Sequence, residues 1–218
     1  MDLSVVDHLL TTTRSVRKRL DFDRPVEPEL LEKCIELALQ APTGSNIQGW
    51  RVMVITDEAK KKAIAEYYRA AFKGYANPDN PMVELPPEGS LRAEQMPRVL
   101  SSATYLAETL DRAPAYVLFC IEGRADAMPA VGQASVYGSV LPAAWSFMLA
   151  ARARGLGSAW TTLHLFNEKE IGELLGIPDS VTQAALFPVA YFTGKDFKPA
   201  RRIPAKELTY WNSWGQAR

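Results

Sequence analysis

Three segments carry side chains suited to an anionic, heteroaromatic ligand. Thr13-Arg14-Ser15-Val16-Arg17-Lys18-Arg19 sets four cations in six positions beside a hydroxyl. Arginine offers paired N–H donors to phosphate and carbonyl oxygens. Taken alone, the segment reads more simply as a solvated basic turn. Ala41 to Trp50 is a polar loop, with donors at Thr43, Ser45, Asn46 and Gln48 around Gly44. Such a loop can line a flat ring, or be a capping turn bonded to itself. In Gly155 to Thr162, small residues permit close backbone approach before Thr161 and Thr162. Much later, Ala200-Arg201-Arg202-Ile203-Pro204 adds an Arg pair able to reach a phosphate. The plain alternative there is a helix-to-strand turn and a basic tail.

Other chemistries lack their signatures. No G-x-G-x-x-G follows a strand, and neither a G-x-x-x-x-G-K-[ST] loop nor a G-x-S-x-G elbow occurs. The histidines are His8 and His164, and no activated nucleophile accompanies either; each is expected to be a partly exposed polar residue. Cys34 and Cys120 read as buried small hydrophobes rather than a disulfide or metal ligands, and no metal is expected. Lys+Arg and Asp+Glu both number 25, so no global field draws nucleic acid or an anionic membrane. At 218 residues and 47% hydrophobic, the chain is expected to form one domain over 1–218. The start lacks a signal-peptide pattern and no apolar run approaches a membrane span, so a soluble, cytoplasmic protein is expected.

The elements that must hold these segments follow from periodicity. Ser4 to Asp7 fits a capping box before a helix ending near Thr11 to Thr13. Glu29 to Gln40 has helical spacing and is stopped by Pro42. Arg51 to Ile55 reads as a strand, followed by a helix capped by Thr56. Residues 74–98 are rich in proline and read as a lid loop, before a helix over Val99 to Leu110. Ala115 to Ile121 is a buried strand, and Ala130 to Arg154 a central helix that Pro142 should kink or break. Ser158 to Thr162 is a strand, and Asn167 opens a capping box for a helix ending at Gly176. Gln183 to Phe192 is a strand in which Pro188 suggests an edge or bulge. Residues 197–218 form an extended C-terminal arm whose Tyr210, Trp211 and Trp214 need burial. The expected class is α+β: a central, mostly antiparallel sheet of four to five strands flanked by helices.

Together, and in this order, the segments resemble the nitroreductase family of flavoproteins. An R-x-S-x-R-like element stands at Thr13 to Arg17, and an A-P-S-x-x-N-x-Q-P-W-like element at Ala41 to Trp50. G-L-G-S stands at Gly155 to Ser158, before an apolar strand at Leu186 to Tyr191 and a basic pair at Arg201 and Arg202. The chain departs from the pattern at Thr13 for Arg, Gly49 for Pro, Ala190 for Gly and Pro142 in the central helix.

The resemblance implies FMN at the interface of a homodimer, with the aromatic arm wrapping the partner. By position, Arg14, Ser15 and Arg17 would meet the phosphate, ribityl and pyrimidine side, and Thr43, Gly44, Ser45, Asn46 and Gln48 would lie by the ring. Thr161 and Thr162 would sit near the reactive edge, and Arg201 and Arg202 would clamp the phosphate. Arg17 would stabilise negative charge on the reduced pyrimidine. Tyr75, Glu94 and Tyr105 are candidate substrate contacts in or near the lid. The implied reaction passes electron pairs from NADH or NADPH through FMN to a nitroaromatic, quinone or similar acceptor, by ping-pong kinetics without an obligatory acid or base. The alternatives are dehalogenation, an enoyl-type reduction or flavin destruction on the same fold, or an FMN store without turnover.

Overall fold

The computed structural model describes residues 1–77 and 85–218. Five strands, β1 (Leu20–Asp21), β2 (Trp50–Ile55), β3 (Ala115–Glu122), β4 (Leu156–Ser158) and β5 (Val181–Phe192), form one antiparallel sheet in the order β1-β5-β3-β2, with β4 paired to β5. Successive side chains of a strand point to opposite faces, and β3 shows the consequence. Tyr116, Leu118 and Cys120 enter one core, and Ala115, Val117, Phe119 and Ile121 the other. On the first face lie α3 (Glu58–Tyr75), α4 (Leu91–Thr109) and α6 (Glu168–Leu175). On the second lie α2 (Pro28–Ala38) and α5 (Ala130–Arg152). α1 (Leu3–Thr12) leads into the basic segment, and the four-residue α7 (Ala205–Leu208) sits in the arm.

β5 keeps in phase with β3 through a bulge: Phe119 pairs with Ala185 and Cys120 with Gln183, leaving Ala184 as the extra residue. Ala184 and Ala185 therefore both enter the second core. Phe187 fills the centre of that core. Its ring lies 5.8 Å from Phe119, 5.8 Å from Phe147 and 5.3 Å from Trp160, all tilted or edge-on as ring quadrupoles favour.

Several local expectations are corrected. Asp2, not Ser4, caps α1, and Asp57, not Thr56, caps α3; each carboxylate accepts a backbone N–H of the first turn. Asn167 makes no side-chain cap on α6, and Glu168 beside it is held by Arg124 instead. The segment read as a loop to Pro97 becomes helical at Leu91: Ser90 caps α4, and Pro97 lies inside it. The loop's Pro78 and Pro81 lie outside the described residues. Pro142 likewise sits within an unbroken α5. Each ring removes one N–H and frees one carbonyl, that of Ala93 for Pro97 and of Gly138 for Pro142; Ala93 is half-buried and Gly138 exposed, so water can satisfy the freed groups.

Pro188 is neither at an edge nor in the bulge. Ala159 N donates to its carbonyl, so its backbone polar groups face the β4 side, where the neighbouring chain leaves the ladder between Ser158 and Thr161. The missing N–H costs no bond to β3 there. The strand expected over Ser158 to Thr162 is accordingly β4 plus a single bridge, Thr161 to Leu186. His164, expected to be partly exposed, is fully buried. Against expectation, α5 is long and apolar enough to cross a bilayer, at mean hydropathy 1.3. Its Val140, Ala143, Ala144, Phe147 and Ala151 are instead buried in the chain's own second core.

Candidate functional site

The basic segment leaves α1 in extended conformation and is fastened to β4. Val16 N donates to the Ser158 carbonyl at 2.8 Å, and Val16 is buried. The next fastening is Ser15 Oγ, which accepts the Trp160 N–H at 3.1 Å. Gly157 makes this approach possible: a Cβ there would stand 3.0 Å from Leu20 Cδ2 and 3.1 Å from Val16 Cβ. The first and third sequence segments thus meet.

Their side chains divide between two cavities flanking that junction. Arg14 and Arg202 line one of about 270 Å³, with Thr13, Trp145 and Pro199. Burial, and then the charge of Arg202, pull the Arg14 guanidinium below its ordinary pKa. Arg14 donates to the Lys198 carbonyl, while its buried Nε has no partner among the described residues. Two cations sharing a cavity with a spare buried donor form a place for an anion, and a phosphate monoester fits both charge and donors.

The second cavity, of about 330 Å³, is apolar and aromatic: Tyr68, Phe72, Tyr75 and Trp160 line it with Arg17, Thr161 and Thr162. Burial depresses the Arg17 pKa, partly offset by Tyr68 and Tyr75. Guanidinium nonetheless stays charged. A cation held in a low-dielectric aromatic cavity is suited to an electron-rich or developing negative group. Thr161 exchanges both backbone bonds with Leu186 at 3.0 Å, which fixes it, and its buried hydroxyl lies beside the Tyr68 hydroxyl. Burial raises the Tyr68 hydroxyl pKa, keeping it protonated. Tyr68, Phe72 and Trp160 were not among the sequence candidates. Tyr68, Phe72 and Tyr75 recur along α3 at helical spacing, and that stripe was the available signal.

The Thr43 to Gln48 loop is placed elsewhere, on the first half of α5. Gly44 N donates to Ser139 Oγ at 3.0 Å, and Trp50 Nε1 to the Ser139 carbonyl at 2.9 Å. A Cβ at Gly44 would stand 2.6 Å from Ser135 Oγ. Ser45, Asn46 and Gln48 all adopt left-handed backbone, at φ of 50°, 53° and 54°. Such strain, on the order of 1 kcal/mol or more per residue, persists where surroundings enforce it and clusters at binding sites. Thr43 and Gly44 line a separate cavity of about 210 Å³, whose lining includes neither Arg14 nor Arg17.

The other candidates are dispersed. Glu94 faces the arm, pairing with Arg201 at 2.6 Å, rather than lining the aromatic cavity. Tyr105 lines an open groove on the outer side of α4 with Lys18 and Glu108. Among the described residues no group of three His, Cys, Asp or Glu side chains could hold a metal ion.

The model of the nitroreductase family matches residues 10–191. An NADH dehydrogenase of Thermus thermophilus is 27% identical over 212 residues, 91% of each chain. A nitrobenzene nitroreductase of Ectopseudomonas oleovorans is 40% identical over 72 residues, 32% of this chain and 31% of that one. Among solved structures, oxidised iodotyrosine deiodinase bound to FMN and 3-iodo-L-tyrosine superposes with a TM-score of 0.68, at 23% identity, over 93% of this chain and 96% of that one.

Proposed function

The chain belongs to the nitroreductase family and is an oxidoreductase, and on that footing we propose that it holds FMN and uses it to pass electron pairs from NADH or NADPH to a small, electron-poor aromatic or quinone acceptor. The observation that carries this reading is the pairing of two cavities about the Ser15–Trp160 bond: Arg14 and Arg202 in one, Arg17 among aromatic rings in the other. A flavin mononucleotide has the matching parts, a dianion at one end and a flat ring at the other. FMN, when bound, supplies the two-electron chemistry.

The residues of this chain do the rest. Arg14 and Arg202 would hold the phosphate, and Ser15 holds the basic segment in register. Arg17 would offset negative charge on the ring. Thr161, its hydroxyl beside that of Tyr68, would face the ring's edge. Tyr68, Phe72 and Trp160 exclude water and give planar molecules an apolar face. The nicotinamide and the acceptor use this one cavity in turn, so the kinetics are ping-pong and no side-chain acid or base is required.

A second copy of the chain completes the site. The strained Thr43 to Gln48 loop, which lines a different cavity from Arg17 within one chain, would reach the ring from the partner. Tyr210, Trp211 and Trp214, all exposed here, find their cover in that dimer. Fluorescence quenching on titration with FMN and with riboflavin tests the reading. Tight FMN binding and weaker riboflavin binding support it, and no binding of either refutes it.

A further inference from the structure

Arg201 and Arg202 are adjacent in sequence but serve different elements. Arg202 lines the cavity it shares with Arg14. Arg201 turns to the first turn of α4, where its Nη1 lies 2.6 Å from Glu94 Oε1. Gln95 Nε2 adds a bond to the Arg201 carbonyl at 3.3 Å. The same short stretch is fastened at its other end, where Arg14 donates to the Lys198 carbonyl. Residues 198–202 therefore lie between the cationic cavity and the start of α4. α4 in turn supplies Met96, Val99, Leu100 and Ala103 to the aromatic cavity.

We propose that Glu94 is a positioning residue: through Arg201 it ties the first turn of α4 to the root of the arm, so that a phosphate held between Arg14 and Arg202 fixes one wall of the acceptor cavity. The inference rests on the functional reading above for the identity of the phosphate and of the acceptor. Its physical basis is the shared backbone. An anion bridging Arg14 and Arg202 holds both sides of the 198–202 stretch, and Arg201 cannot then move without dragging Glu94 or breaking from it. The Arg201 and Glu94 side chains are 68% and 62% exposed, so the pair is weak by itself and the effect is a modest one on order, not on overall stability.

Hydrogen–deuterium exchange of the α4 segment tests this without turnover. In the wild-type protein, inorganic phosphate or FMN slows exchange over the first turns of α4, and riboflavin does so much less. Glu94→Gln loses that phosphate-dependent protection, and Glu94→Asp keeps most of it. In steady-state assays Glu94→Gln raises the acceptor KM by about three- to fivefold, as a weak surface pair allows, and affects kcat less. Unchanged protection and unchanged KM in Glu94→Gln, or an Asp variant as impaired as the Gln variant, would overturn the proposal. Failure of the wild-type protein to bind any flavin would instead refute the functional reading. The response of α4 to phosphate alone keeps the two failures apart.

Discussion

Ser15 Oγ accepts the backbone N–H of Trp160 at 3.1 Å, joining residues separated by 145 positions in sequence. This bond sets the basic segment beside the Trp160-Thr161-Thr162 turn and divides the cationic cavity from the aromatic one. Ser15→Ala leaves that partly buried N–H without its protein partner. The expected loss is about 1–3 kcal/mol of stability, read by urea denaturation. Weaker FMN binding should accompany it, because Arg14 and Arg17 lose their common anchor.

Arg202→Ala separates the phosphate from the ring in binding. A charged hydrogen bond is worth about 1.5–3 kcal/mol, so FMN affinity should fall by roughly 10- to 100-fold. Riboflavin affinity should stay within about twofold, since Arg202 lies outside the aromatic cavity. Equal losses for both flavins would show that Arg202 acts on folding rather than on phosphate.

How much of this was legible in the sequence differs from element to element. The helices over Pro28–Ala38 and Ala130–Arg152 and the strands β3 and β5 followed from periodicity and apolar runs, because burial on one or both faces leaves a regular trace. α4 was half hidden, since Pro97 suggested a loop while its cost is borne on an exposed side. Arg14, Arg17, Thr161 and Arg202 became candidates through the family resemblance of their segments, since residue type alone fits a solvated basic turn or tail equally well. Their division between two cavities was not legible, because it depends on the Val16–Ser158 and Ser15–Trp160 bonds. Glu94 was named as a substrate contact, and only tertiary placement turns it to Arg201. His164 gave no sign of burial, as a polar residue in a short turn carries no periodic signal.

His164 makes stability depend on pH. Burial pulls its imidazole pKa down to about 4, against 6.5 for the exposed group, and Glu168, the nearby charge, only partly offsets this. The unfolded chain therefore takes up the proton near pH 6.5 while the folded one waits until about 4. The contribution of the neutral imidazole is complete above 6.5 and is lost progressively as pH falls towards 4, by roughly 3 kcal/mol in all. Glu168, held below the usual carboxylate range by Arg124 and the Gln183 N–H despite partial burial, adds its own loss only at lower pH. Unfolding free energies from pH 8 to 4.5 should fall more steeply in the wild type than in His164→Leu. Parallel curves would contradict this account of the buried imidazole.

Phe187→Ala empties the centre of the aromatic group formed with Phe119, Phe147 and Trp160. Cavity formation at a fully buried Phe costs about 3–5 kcal/mol, measurable as a lower urea midpoint. Because Trp160 loses its edge-on neighbour, FMN should also bind less tightly at temperatures where the variant remains folded.

The arm offers a separate test of assembly. Residues 209–218 are exposed throughout, so deleting them should change the stability of a single chain little while lowering the fraction of the proposed dimer in sedimentation velocity. An unchanged dimer fraction would remove the arm from the interface.

The most direct test of the central claim is the visible spectrum of the FMN-loaded protein, recorded anaerobically before and after NADPH and then NADH. The proposed function predicts flavin absorbance that bleaches with at least one donor and returns when a nitroaromatic or quinone is added. Absorbance that neither donor bleaches would contradict it and mark the protein as a flavin store.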